Sequence, residues 1–265
     1  MKRIILYSAL ITALFTSCKK DSAPEYNPSV KGSVAVEFDN VAGSSDLQLN
    51  TGTYTNAAGE SFTVTKLKYY VSNFVFTNTA GTEYTVPKDS CYFLVDESVE
   101  DSHETEMRIP EGEYKTVSFW LGVDSLKCTA DISQRKDVLD VTGDGADMYW
   151  TWNSGYIFFK MEGTSPAITG GMGNEFYYHI GGFGGYSSPT INNLKKITLD
   201  LTARGTAKIK ASKSTDVHLL VDILKAFNGS STVSLAANPM VMFNPFSTSV
   251  SANYTAMFAH DHTHN

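Results

Sequence analysis

Residues 33–39 read Ser33-Val34-Ala35-Val36-Glu37-Phe38-Asp39. Val34, Val36 and Phe38 alternate with their neighbours at the two-residue period of a half-buried strand. Similar short runs recur at 67–76, 91–95, 114–121, 156–161, 176–180, 197–201 and 217–223. Turn signals separate them at Asn56-Ala57-Ala58-Gly59, Ala80-Gly81, Pro110-Glu111-Gly112, Gly143-Asp144-Gly145 and Asn228-Gly229. Many short strands rich in Tyr, Phe, Val and Thr, with no sustained helical period, predict an all-β fold, an antiparallel β-sandwich. Short helices are expected at 224–227 and within 247–258. Residues 33–265 contain no repeat and no linker and read as a single β domain.

The composition agrees with a packed domain. Of 265 residues, 42% are hydrophobic and only 18% charged, against roughly 25% charged in ordinary soluble domains. Twenty-one Lys and Arg face 28 Asp and Glu, a formal charge of −7. That balance lacks the basic field that phosphate backbones require, which argues against nucleic acid as a partner.

The first segment reads as an address. Met1-Lys2-Arg3 gives a positive start, 4–15 a mostly apolar run, and Thr16-Ser17 two small residues ahead of Cys18. This is the pattern of a secretory signal peptide over 1–17, and the run is short of the ~20 residues that span a bilayer. Small residues before a cysteine resemble a bacterial lipobox, with Phe15 where Leu is commoner, so Cys18 is expected to carry lipid. Ordinary secretion with a spare cysteine is the alternative. Residues 18–32 are polar, contain Pro24 and Pro28, and suit a tether. Cleavage removes Lys2 and Arg3, leaving 19 basic and 28 acidic residues and a formal charge of −9. The expected location is the cell envelope, lipid-anchored, at the outer membrane. Cys91 and Cys128 then remain, and in an export compartment such a pair reads as a disulfide; two buried thiols are the alternative.

Enzyme signatures are missing: no G-x-S-x-G elbow, H-E-x-x-H, C-x-x-C or P-loop occurs. The expectation is a non-catalytic protein. Gly181-Gly182-Phe183-Gly184-Gly185 reads as a loop, and Asp140, Asp144 and Asp147 as a solvated acidic turn without EF-hand spacing. Histidine carries more information. His260-Asp261-His262-Thr263-His264-Asn265 places three imidazoles at alternating positions, which an extended chain turns to one side. Such a set suits a borderline metal, copper foremost among divalent ions, with zinc acceptable by ligand type; a frayed polar tail is the alternative. His179 and His218 each sit in a strand-like run, and His103 in an acidic loop. Taken singly these read as a structural, an exposed-face and a solvated histidine. In Met148-Tyr149-Trp150-Thr151-Trp152 a strand turns both tryptophans one way, as a core anchor, a sugar-stacking platform or a redox-sensitive patch.

In order along the chain come Val36-Glu37-Phe38-Asp39-Asn40-Val41-Ala42-Gly43, Tyr69-Tyr70-Val71-Ser72-Asn73, Tyr92-Phe93-Leu94-Val95-Asp96 and Phe119-Trp120-Leu121-Gly122-Val123-Asp124. The block from 150 to 163, His179-Ile180-Gly181-Gly182 and His262-Thr263-His264-Asn265 follow. Together they resemble the copper-binding MbnP-like domain family, in its bacterial lipoprotein branch. The resemblance implies an export-compartment β protein that binds copper and is encoded beside a di-haem peroxidase-like partner, which oxidises a tryptophan to kynurenine that joins histidines at the copper. Opening an indole ring exposes an aromatic amine, a nitrogen donor suited to copper. Carried over by motif, the metal-site residues are His179, His262, His264, Trp150 and Trp152, converging at one edge of the sandwich. Two departures stand out: Asp147 occupies a position often held by glycine, and Phe183-Gly184-Gly185-Tyr186 lacks the cysteines of other branches. The rival readings are a surface carbohydrate- or protein-binding module using the Trp150 and Trp152 patch, and a purely structural envelope lipoprotein.

Overall fold

A computed structural model describes residues 26–152, 155–169 and 173–265. The signal segment, Cys18 and most of the tether lie outside the described residues. Ten principal strands build the body: β1 (Lys31–Ala42), β2 (Ser61–Asn78), β3 (Tyr92–Asp96), β4 (Glu104–Pro110), β5 (Gly112–Leu121), β6 (Gly155–Thr164), β7 (Glu175–Gly181), β8 (Lys195–Asp200), β9 (Ser214–Asp222) and β10 (Phe258–His264). Shorter strands and turns of helix fill the connections.

The strands form two sheets. In the smaller, β10 pairs β9, β9 pairs β1, and β4 adds to the far side of β1. In the larger, the order β8-β5-β2-β6-β7 runs through the long β2, with β3 as an added partner of β2. The all-β sandwich expected from the alternation is what forms, with two exceptions to its antiparallel pairing: β1 and β9 run parallel, as do β7 and the short strand Met240–Val241. Two strands lack a counterpart among the runs read from the sequence. In β4, Thr105, Met107 and Ile109 alternate inward between acidic and basic residues. The other is β10, whose seven residues include only one large apolar side chain, Phe258.

The core lies between the sheets. Phe38 and Phe258 from the smaller sheet interlock with Tyr69 and Phe119 from the larger, at ring separations of 5.3–6.3 Å and nearly perpendicular planes. Each such pair adds about 0.5–1.5 kcal/mol beyond the area it buries. This packing fixes which face of each strand turns inward: Val34, Val36 and Phe38 of β1, and Val217, Leu219 and Val221 of β9, are buried. Glu37, Asp39, Asp216 and His218 therefore project from the opposite, outer face.

Where the strand period breaks, the cause is local. β2 shifts register between Ser72 and Val75, where Asn73 adopts φ +56°, a left-handed state that asparagine tolerates. The helix expected at 224–227 forms as a 3-10 turn over Ile223–Phe227, and the stretch 247–258 divides into an α-helix over Ser247–Ser251 and a 3-10 turn over Tyr254–Ala256 before Phe258 begins β10.

Candidate metal centre

On the outer face of the smaller sheet the registers converge. Parallel pairing sets Glu37 of β1 beside His218 of β9. Antiparallel pairing sets His262 opposite His218 and His264 opposite Asp216. The ladder shifts between His218 and Leu219, where Asp261 is skipped and His260 becomes the partner of Leu219. This bulge corrects the expected alternation. One extra residue reverses the side-chain phase, so His260 leaves the face that His262 and His264 share, and its ring bonds Thr263 Oγ1 instead. Burial lowers the pKa of His260 below the ordinary histidine range.

Three imidazoles meet as a result. The rings of His218 and His262 stack at 4.3 Å and 8°, and that of His264 stands edge-on to both, at 5.1 and 4.6 Å. His262 Nε2 is 3.0 Å from His264 Nε2. One nitrogen from each of His218, His262 and His264 fits within a 4.8 Å group. Two carboxylates flank them: Glu37 Oε2 lies 2.5 Å from His218 Nδ1 and Asp261 Oδ2 2.7 Å from His262 Nδ1. The bond to His262 holds the Asp261 carboxyl below its ordinary pKa. Glu37 also borders a cleft whose other walls are Glu100, Asp101, His103, Glu104 and Glu106, so the approach to the histidines is acidic and attracts cations.

His262 and His264 thus come together as expected, but the third imidazole is His218, not His179. His179 sits on β7 of the larger sheet, where Nε2 lies 2.8 Å from Glu162 Oε1 and burial lowers its pKa. Its surroundings are a charged network: Lys160 Nζ, beside Glu162, bonds Asp147 at 2.6 Å, and Asp147 also meets Lys66 and Lys68. Asp147 stays exposed, as read from the sequence, and also joins that network. His218 escaped single-strand reading because alternation on β9 marks it only as outward-facing. The signal lay in two alternations that had to be paired, Asp216 with His218 and His262 with His264.

The tryptophans lie elsewhere. Trp150 ends a two-residue strand paired with Gly155 and is 6% exposed, whereas Trp152 has turned out into solvent at 64%. They do not share one strand face, because the chain is already turning at Thr151; their rings still meet at 5.4 Å. Trp150 packs so closely on Gly181 that a Cβ there falls 2.7 Å from its ring. It lines a cleft with Phe183, Tyr186 and Phe243, rimmed by Ser187, Ser188 and Thr190. Among the described residues, no histidine makes a ring contact with either tryptophan.

The expected Cys91–Cys128 bridge is also absent. Both are buried free thiols: Cys91 Sγ donates to Lys88 O and Cys128 Sγ to Val123 O. Each fills a core position as a small hydrophobe.

Comparison with known proteins places the chain in a family. A sequence model of the MbnP family matches residues 31–243. Among solved structures, MbnP from Methylosinus trichosporium superposes with a TM-score of 0.54 at 16% identity, covering 76% of this chain and 79% of that one, a likeness of fold. No curated protein sequence matches the chain.

Proposed function

The chain belongs to the MbnP family, and from that premise we propose that it is a copper-binding protein of the bacterial envelope whose metal is held by His218, His262 and His264. The observation that carries the reading is the meeting of three imidazole nitrogens within 4.8 Å on one sheet face. The donor set fits the metal: neutral imidazoles suit copper and zinc, and hard cations prefer all-oxygen cages. Bound copper supplies redox and ligand-exchange chemistry; the chain itself holds the ion rather than transforming a substrate. Lipid on Cys18 anchors it to the outer membrane.

A di-haem peroxidase-like partner fits the same proposal at a different place. Trp152 is the tryptophan an external oxidant can reach, being 64% exposed against 6% for Trp150. Trp152 stands in the turn that follows the short strand Tyr149–Trp150, and among the described residues no histidine ring meets it, so the three-histidine site is proposed to load without a kynurenine there.

The test is copper stoichiometry, measured by elemental analysis and chelator competition on protein made without any oxidising partner. The expected result is one copper per chain, lost when His262 and His264 are both changed to alanine. Failure of the wild-type chain to take up copper overturns the proposal. A second reading, a carbohydrate-binding module, is favoured by the uncharged cleft of Trp150, Phe183, Tyr186 and Phe243 with its hydroxyl rim. Quenching of tryptophan fluorescence by neutral oligosaccharides, abolished in Tyr186→Ala, is its signature.

A further inference from the structure

We infer that Glu37 and Asp261 are positioning residues, which hold His218 and His262 as Nδ1–H tautomers so that each turns an unprotonated Nε2 toward the metal. The inference rests on the copper reading and says how that site is prepared before metal arrives. A carboxylate only accepts, so Glu37 Oε2 at 2.5 Å from His218 Nδ1 requires the proton on Nδ1. The same holds for Asp261 Oδ2 at 2.7 Å from His262 Nδ1. In a neutral imidazole the remaining nitrogen then carries a lone pair.

Neither carboxylate is placed by chance of rotamer alone. Glu37 is the register neighbour of His218 across the parallel β1–β9 ladder. Asp261 is the bulge residue of β10, and its other oxygen, Oδ1, accepts from Arg204 Nη1 at 3.2 Å, which also donates to its carbonyl. The bulge therefore does two things: it takes His260 off the face, and it brings a guanidinium-anchored carboxylate to the back of His262.

The third ring completes the pattern. His262 Nε2 and His264 Nε2 lie 3.0 Å apart, a hydrogen bond that needs one proton between two nitrogens. With His262 Nε2 unprotonated, His264 Nε2–H is the donor. A metal ion entering the site takes the place of that proton, which passes through solvent to His264 Nδ1 and leaves the ring neutral. Among the described residues, His264 makes no carboxylate pair, so its ring is free to make this exchange while the other two stay fixed. Such carboxylate–histidine–metal chains commonly govern affinity by 10–100-fold.

The test begins without metal. Long-range proton–nitrogen NMR of the metal-free chain at pH 8 is expected to report Nδ1–H at His218 and His262. Glu37→Leu and Asp261→Leu, which remove the acceptor, should each lose that state and weaken copper binding by about 10–100-fold. Glu37→Gln and Asp261→Asn retain an acceptor oxygen and should recover part of the loss. Pulsed paramagnetic resonance of the copper(II) protein should show altered coupling to the remote imidazole nitrogen in the Leu variants. Nε2–H tautomers at both rings in the wild type, or Leu variants unchanged in both affinity and remote-nitrogen coupling, overturn the inference. Wild-type chain with the expected tautomers but no copper uptake overturns the copper reading and leaves the positioning assignment standing.

Discussion

The imidazoles of His218 and His262 lie ring over ring, 4.3 Å between centroids and 8° from parallel, although 44 positions separate them in sequence. Only the β9–β10 register, which sets the two directly opposite, brings them together. Direct opposition on one sheet face is the closest approach two strands offer their side chains.

Under the copper proposal, that relationship makes His218 equivalent to His262. His218→Ala is expected to weaken copper by more than the roughly 10–100-fold that loss of an outer partner costs. His179→Ala and His260→Ala should leave affinity unchanged. Competition with a chromophoric copper chelator reads all three variants.

The two tryptophans should separate by role. Trp152→Phe is expected to leave both stability and copper affinity unchanged. Trp150→Ala should cost about 3–5 kcal/mol, the range for a buried aromatic truncated to alanine, because its ring fills the space over Gly181. Guanidinium unfolding of each variant checks the difference.

Cys91 and Cys128 should titrate as two free thiols when native, unreduced protein is unfolded in the presence of a thiol reagent. In the folded state Cys128 should react slowly, since burial pushes its thiol up to about 12 and the thiolate is the reactive form. Recovery of no thiol after unfolding would show a bridge.

Glu97 gives the fold a pH dependence of definite sign. Burial raises its carboxyl from 4.5 to about 7, against the opposing bond from Asn40. Between those values the native chain binds more protons at this site than the unfolded one, so this contribution to stability falls as pH rises through the window and is constant above it. Glu97→Gln removes the slope. The variant is expected to match the wild type near pH 4.5 and exceed it at pH 8 by about 1–2 kcal/mol, with allowance for solvent screening. Thermal melts at the two pH values decide.

Attachment to the membrane should depend on Cys18. In Cys18→Ala the chain is expected to leave the membrane fraction or to accumulate as precursor, since acyl chains contribute about 0.8 kcal/mol per buried CH₂. Unchanged fractionation would rule out the anchor.

The sequence made the sandwich legible because burial on one face imposes a two-residue period, and Val34, Val36 and Phe38 carry it openly. It made β10 hard to read, because His262, Thr263 and His264 are polar on both faces and only Phe258 reaches the core. Half of the metal centre was visible as the terminal histidine pattern. The other half, His218 with Glu37, depended on a parallel register between strands about 180 residues apart, which no local pattern encodes. The bulge at Asp261 was invisible for the same reason: a phase reversal exists only relative to a partner strand. Trp150 and Trp152 misled in the opposite way, since a two-residue spacing implies one face only while the chain stays extended.

The parallel ladder between β1 and β9 also sets the order in which the centre can come into being. Glu37, His218 and His262 arrive on three separate segments of the chain, and the middle one must dock against both others before the nitrogens meet. Contacts of such long sequence separation close late, after the entropy of large loops has been overcome. An unfolded or partly folded chain therefore carries scattered histidines and no clustered imidazoles, so under the copper proposal the capacity to capture metal is a marker of completed folding.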